Sequence, residues 1–115
     1  MGERKVLDRP VAHLPSTRVE LAVGRTQIDV AQVFVDRCVM DHNQKKLSPE
    51  VAAEAKLFTT ELLGKVVDEG VQLHGGWGYM WEYPICKMYA NARIQRIFAG
   101  TSEIMKEIIS RGMKL

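Results

Sequence analysis

The stretch Gln72-Leu73-His74-Gly75-Gly76-Trp77-Gly78-Tyr79-Met80-Trp81-Glu82-Tyr83-Pro84 interrupts an otherwise helical sequence. It holds three of the nine glycines and both tryptophans. A long amphipathic pattern runs into it and stops at Gly75, and a new helical pattern starts after Pro84. Paired glycines at a helix end let the backbone turn with φ > 0 and expose amides with no Cβ in the way. Such a backbone suits a tight corner, which is the commoner use, or the close approach of a phosphate or ribose. Trp77, Tyr79, Trp81 and Tyr83 correspondingly pack the corner or stack against a ring.

Toward the N-terminus, Val51, Ala55, Phe58, Leu62, Val66, Glu69 and Leu73 recur at helical spacing up to the glycines. Glu69 is the one charge on that line, either a solvated edge or a buried polar partner. Ser48-Pro49-Glu50 opens this helix with a cap, a proline for the first helical position and an acid for the first turn. Before it, Asn43-Gln44-Lys45-Lys46 reads as a polar turn. Leu21, Gly24, Ile28, Ala31, Val35 and Cys38 form an earlier stripe, with Val23, Val30 and Phe34 beside it, giving a helix from about Ser16 to about His42. Ser16 is the expected cap. Gly24 costs about 1 kcal/mol against alanine inside a helix, so close contact with another backbone is expected there. Residues 1–15 read as irregular because of Pro10 and Pro15.

Toward the C-terminus, a helix is expected from about Ile85 to Ile97, with Met88, Ala92 and Gln95 on one face. Ala99-Gly100-Thr101-Ser102 breaks it. A last helix begins near Ser102, carries Ile104, Met105, Ile108 and Ile109 on its apolar face, and stops before Gly112. The fold class is all-α: one domain over residues 1–115, a bundle of two long antiparallel helices plus two shorter C-terminal helices. Each long stripe leaves one side uncovered, so a partner helix is expected from another chain or from a part of the protein outside this segment, and self-association of the chain by itself is expected to complete the bundle. Exchange of the first helix between copies, with the Asn43–Leu47 loop straightened, is the alternative arrangement.

A net charge of +2, with acids and bases mixed along the chain, gives no reason to propose nucleic acid or a membrane surface as partner. No apolar run approaches the length of a membrane span, and Met1-Gly2-Glu3-Arg4-Lys5 is not followed by the apolar core of a signal peptide. Cys38 and Cys86 fit no metal or redox spacing and read as free thiols in a reducing compartment. His13, His42 and His74 lack metal-ligand spacing, and no nucleophile triad, dinucleotide fingerprint or phosphate loop is present. The expected metal and catalytic sets are therefore empty. One further boundary, Gly100-Thr101, sits at a helix start, where free amides and the dipole favour an anion. A plain capping role for Thr101 or Ser102 is the simpler alternative.

Gln72 to Pro84, then Arg93-Ile94-Gln95, then Ile97-Phe98-Ala99-Gly100-Thr101-Ser102-Glu103-Ile104, resemble the C-terminal domain of acyl-CoA dehydrogenases, nearest to their long-chain branch. The resemblance extends back through Phe34-Val35-Asp36-Arg37-Cys38 to Glu3-Arg4-Lys5. It implies a flavoprotein that removes the α and β hydrogens of a fatty acyl-CoA, the α-proton to a base and the β-hydrogen as hydride to FAD. Electrons then pass to an electron-transfer flavoprotein. It also implies a tetramer with FAD between subunits, in the bacterial cytoplasm or the mitochondrial matrix. By the same resemblance Arg4 meets the FAD diphosphate of a neighbouring subunit. Gln72, Leu73, His74, Gly75 and Gly76 follow FAD across the subunit boundary, Thr101, Ser102 and Glu103 touch FAD, and Ala99 and Gly100 line the acyl-CoA site. The chain departs from the family pattern at Leu7-Asp8, where Phe-Gly is usual, and at Pro15, where a glutamine meets FAD. Ala99 replaces the glutamate that serves many members as base; in the long-chain branch the base comes from a helix upstream of this segment. The isolated chain is therefore expected to be inactive and to bind FAD weakly or not at all. A non-catalytic helical assembly module is the rival expectation.

Overall fold

A computed structural model describes residues 5–6, 9–10 and 13–115, with side chains described from residue 13 onward. Arg4, Leu7 and Asp8 lie outside the described residues. Two short strands, β1 (Lys5–Val6) and β2 (Arg9–Pro10), pair antiparallel with Lys5 opposite Pro10 and Val6 opposite Arg9. That pairing corrects the expectation of an irregular N-terminal stretch. It leaves the all-α class intact, because every other element is helical.

Helix α1 runs from Pro15 to Asn43 and α2 from Pro49 to His74. The cap of α1 is Leu14 rather than Ser16. Proline at the first helical position loses nothing, since that N–H would have no partner, and its φ is already helical. For α2 the expectation holds in detail: Ser48 accepts the Val51 amide at 3.2 Å, with Pro49 and Glu50 in the first turn. Between the helices Lys45 takes φ 60°, and Lys46 bonds back to the Asp41 carbonyl at 2.7 Å, so the loop is folded tight within one chain. No atom lies within 4 Å of a Cβ built on Gly24, so the expected close backbone contact there is absent among the described residues.

A 3₁₀ turn, Gly75–Tyr79, leads to α3 (Pro84–Gln95), and α4 covers Ser102–Gly112. Helix α3 ends two residues before Ile97, because Ile97 and Phe98 both turn back to the Ile94 carbonyl. Its buried residue is Ala92, while Met88 is half exposed rather than facing inward. In α4, Met105 is buried but Ile104 points largely to solvent.

Helix α2 is the spine. Its Leu62 and Val66 face Ile28 and Val35 of α1, antiparallel. On its other side α3 and α4 follow one another from its C-terminus back to its N-terminus. Ile85 lies against Gly70, Arg96 against Gly64, Ser102 bonds Glu61, and Gly112 rests on Glu50. Helix α2 thus buries two faces, and Ala53 and Val67, its most buried residues, are off the stripe read from the sequence. The expectation of one open side on each long helix is corrected in part for α2, where α3 and α4 cover the side away from α1 while Phe58 and Leu63 stay 44% and 40% exposed. It stands for α1, where Val19, Val30 and Val33 are 64%, 59% and 70% exposed. The molecule is elongated, 55 × 28 × 25 Å, with a radius of gyration of 17.2 Å against about 13 Å for a compact chain near this size.

Candidate functional site

Two glycine boundaries carry the candidate residues. At the first, Gly75 takes φ 65° and its amide bonds to the Gln72 carbonyl. His74, the last residue of α2, turns its Nδ1 to the Gly70 carbonyl at 2.7 Å, tying the ring to its own helix. Gln72 and Gly76 are exposed, and Leu73 is half-buried. Gly76 is open on its Cβ side, where an added methyl would meet nothing within 4 Å. Gly78 is the opposite case: it is buried, and a Cβ would lie 2.6 Å from the Val71 carbonyl oxygen. Trp77 stacks on Tyr83 with centroids 5.7 Å apart and planes 6° from parallel, closing the turn. Two of the four aromatics therefore pack the corner. Tyr79 is 85% exposed, and Trp81 lies under the Lys87 ammonium, 5.6 Å from the ring centroid.

The second boundary follows α3. Ala99 has φ 54° and Gly100 φ 108°. Thr101 caps α4 by accepting the Ile104 amide at 3.2 Å. Ser102 is buried and turned inward: its hydroxyl donates to Glu61 Oε1 at 2.7 Å and its amide to the Arg96 carbonyl at 3.1 Å. Of the three residues expected at this helix start, Thr101 and Glu103 are the ones placed to meet a group from outside. Glu103, exposed in the first turn, already gives the helix start a negative charge.

Beneath this boundary lies a polar cluster that the sequence reading missed. Arg96 Nη1 bonds Glu61 Oε2 at 3.4 Å, with the guanidinium packed over Gly64, and its Nε is buried without a hydrogen-bond partner. Lys56 donates to the Phe98 carbonyl at 2.9 Å and also to the Gly100 carbonyl. The signal was a second line of small residues on α2, Ala53, Gly64 and Val67, hidden behind the more hydrophobic first line.

The hydrogen bond from the Ser102 hydroxyl, with the Arg96 guanidinium and the Lys106 charge adding to it, holds the Glu61 carboxyl below the ordinary glutamate range, against an opposing effect of burial. A depressed carboxyl pKa stabilises the fold above the unfolded-state value, about 4.3, and that stabilisation disappears as pH falls through the folded value beneath it. With the Glu61 side chain 45% exposed, water screens the gain. The urea midpoint of the wild-type chain should exceed that of Glu61→Gln by a constant margin above about pH 5, and the two should converge toward pH 3. A margin independent of pH would refute this assignment.

The two boundaries do not converge. Ser102 sits beside Glu61 in mid-α2 and Gly75 caps its C-terminus, a separation of about 20 Å at 1.5 Å per residue. One phosphate or one ring cannot touch both. Among the described residues no group of three His, Cys, Asp or Glu is placed to hold a metal ion, and no helix is long and apolar enough to cross a membrane. Cys38 and Cys86 are both free thiols.

The family profile described as acyl-CoA dehydrogenase, C-terminal domain, matches residues 1–114. The chain belongs to that family. This acyl-CoA dehydrogenase C-terminal domain is 50% identical over 109 residues to the mitochondrial long-chain specific acyl-CoA dehydrogenase of Mus musculus, covering 95% of this chain and 25% of that protein. Among solved structures, the acyl-CoA dehydrogenase from Geobacillus kaustophilus superposes with a TM-score of 0.95 at 36% identity, over 99% of this chain and 30% of that one. A chain from the electron transferring flavoprotein structure of Acidaminococcus fermentans gives 0.91 at 32% identity, over 96% of this chain and 29% of that one. The domain thus spans about a quarter of the length of the curated relatives it matches.

Proposed function

We propose that this chain is the C-terminal, FAD-contacting and oligomerisation domain of a flavin-dependent acyl-CoA dehydrogenase acting in fatty acyl-CoA α,β-desaturation, and that it is inactive alone. The observation that carries the reading is the match of residues 1–114 to that domain, with a positive-φ glycine at each of the two helix boundaries. The residues fit a flavin at two places. Gly76, exposed and with room for a Cβ, follows Gln72, Leu73, His74 and the positive-φ Gly75, and the Glu103 amide, beside Thr101, bonds to no other described group. When bound, FAD would supply the hydride-accepting chemistry. Ala99 and Gly100 would wall the acyl-CoA site, but Ala99 has no group that takes a proton. A missing general base costs about 10²–10⁴ in rate. Acyl-CoA and an electron-transfer flavoprotein are the partners of the complete enzyme on this reading, and bacterial cytoplasm or mitochondrial matrix its compartment.

Mixing the purified chain with FAD, octanoyl- or palmitoyl-CoA and an electron-accepting dye should give no turnover, and FAD should not co-elute. Dye reduction by the chain alone would refute the proposal.

One observation favours a second reading, an assembly module that has lost cofactor binding. Pro15 is the first residue of α1 and has neither a side-chain amide nor a backbone donor where the family resemblance puts a glutamine. Restoring Phe, Gly and Gln at Leu7, Asp8 and Pro15 in a full-length chimera separates the two: FAD affinity returns under the first reading and stays nil under the second.

A further inference from the structure

Ala99 is one of three non-glycine residues with positive φ among those described, and it is followed at once by Gly100 at φ 108°. For an L-residue the left-handed region costs roughly 1–2 kcal/mol, so something must hold this turn. The backbone bonds on either side come from Phe98, bound to the Ile94 carbonyl, and Ser102, bound to the Arg96 carbonyl. Neither grips Ala99. The carbonyls flanking it, those of Phe98 and Gly100, instead both accept from the Lys56 ammonium. Lys56 lies more than forty residues earlier on α2, half-buried, so it reaches the turn from the spine of the bundle.

We propose that Lys56 is a positioning residue: by holding the carbonyls before and after Ala99 it fixes the direction of the Ala99–Gly100 backbone. An ammonium suits this task. Its three donors rotate to meet two carbonyls at once, and its charge answers the negative end of the α3 dipole that terminates just before. Glu61, five residues further along α2, holds the other flank through Ser102. Helix α2 therefore clamps both sides of the turn, so the wall presented on the outer side is preset before any ligand arrives. The importance of this for acyl-CoA rests on the reading above that Ala99 and Gly100 line its site; the clamp itself does not.

The test compares the full chain with Lys56→Met and Lys56→Arg by backbone NMR. In Lys56→Met the carbonyl ¹³C signals of Phe98 and Gly100 shift as expected for lost hydrogen bonds. Amide exchange at Phe98 and Ser102 rises about tenfold or more, while exchange in the middle of α2 stays at the wild-type rate. Lys56→Arg, whose fork donates to two carbonyls, restores both readouts. Unchanged carbonyl signals, or a rise in exchange shared equally by every helix, would overturn the proposal. Titrating wild type and Lys56→Met with palmitoyl-CoA tests the supporting reading separately. A clamp that releases in Lys56→Met while the thioester leaves Gly100 undisturbed in both proteins upholds Lys56 and removes the acyl-CoA wall.

Discussion

Gly78→Ala should destabilise the chain by about 3 kcal/mol, the upper part of the range for overpacking a tight site. The added Cβ would stand 2.6 Å from the Val71 carbonyl oxygen and 3.0 Å from both Val71 Cα and His74 Cβ. Two of those atoms are backbone of the last turns of α2, so no side-chain rotation relieves the clash. Either the 3₁₀ turn lifts away or α2 unwinds at its end. Both disturb the Trp77–Tyr83 stack, so the near-ultraviolet circular dichroism should weaken along with the urea midpoint. Gly76→Ala is the matched control: nothing lies near its Cβ, and its effect should stay within about 0.5 kcal/mol. Equal stabilities for the two variants would mean that the corner is not packed as described.

Paired substitution of Val30 and Val33 by aspartate should convert a self-associated protein to monomers. Val19, Val23, Val30, Val33 and Met40 recur at spacings of three, four and seven along α1 and are all about half exposed or more. Val33 and Met40 lie opposite the α2-facing line of Ala31 and Cys38, while Val30 lies on the flank, at the edge of the cleft that α1 forms with Phe58 and Ile109. If another copy covers this stripe, each carboxylate must be stripped of water against apolar side chains, a penalty of several kcal/mol. A two-fold interface doubles it. The folded monomer has little to lose, because valine and aspartate have similar helix propensities and neither position is buried. Sedimentation at tens of micromolar should show wild type above, and the variant at, the monomer mass. A monomeric wild type would defeat the prediction outright.

Much of the fold was legible because the helix boundaries are written in short-range chemistry. Ser48-Pro49, Gly75 and Thr101 each act on amides or dihedrals within four residues, and each does what local rules require. Pro15 sets the start of α1, with Leu14 as cap in place of Ser16, by an equally local rule. What could not be read is set by packing. Gly24 looked like a contact because its helix cost begged a reason, yet no neighbour comes near. Lys56 and Glu61 carried no signal in the sequence, since their partners lie thirty-five to forty-four residues away. The candidate residues Gln72 to Gly76 and Thr101 to Glu103 were picked out by family resemblance, but the inward turn of Ser102 and the distance between the two groups needed coordinates.

Among the described residues no large side chain is fully enclosed; Ala31, Ala53, Val67, Ala92 and Met105 make up most of what lies inside. Enclosed methyls and one thioether leave a slim margin against chain entropy. If a second copy dries the outer valines of α1, it joins the folding equilibrium itself, and structure formation and assembly become a single mass-action reaction. The melting midpoint of such a chain belongs to the solution rather than to the molecule: it climbs with each tenfold rise in concentration and sinks on dilution.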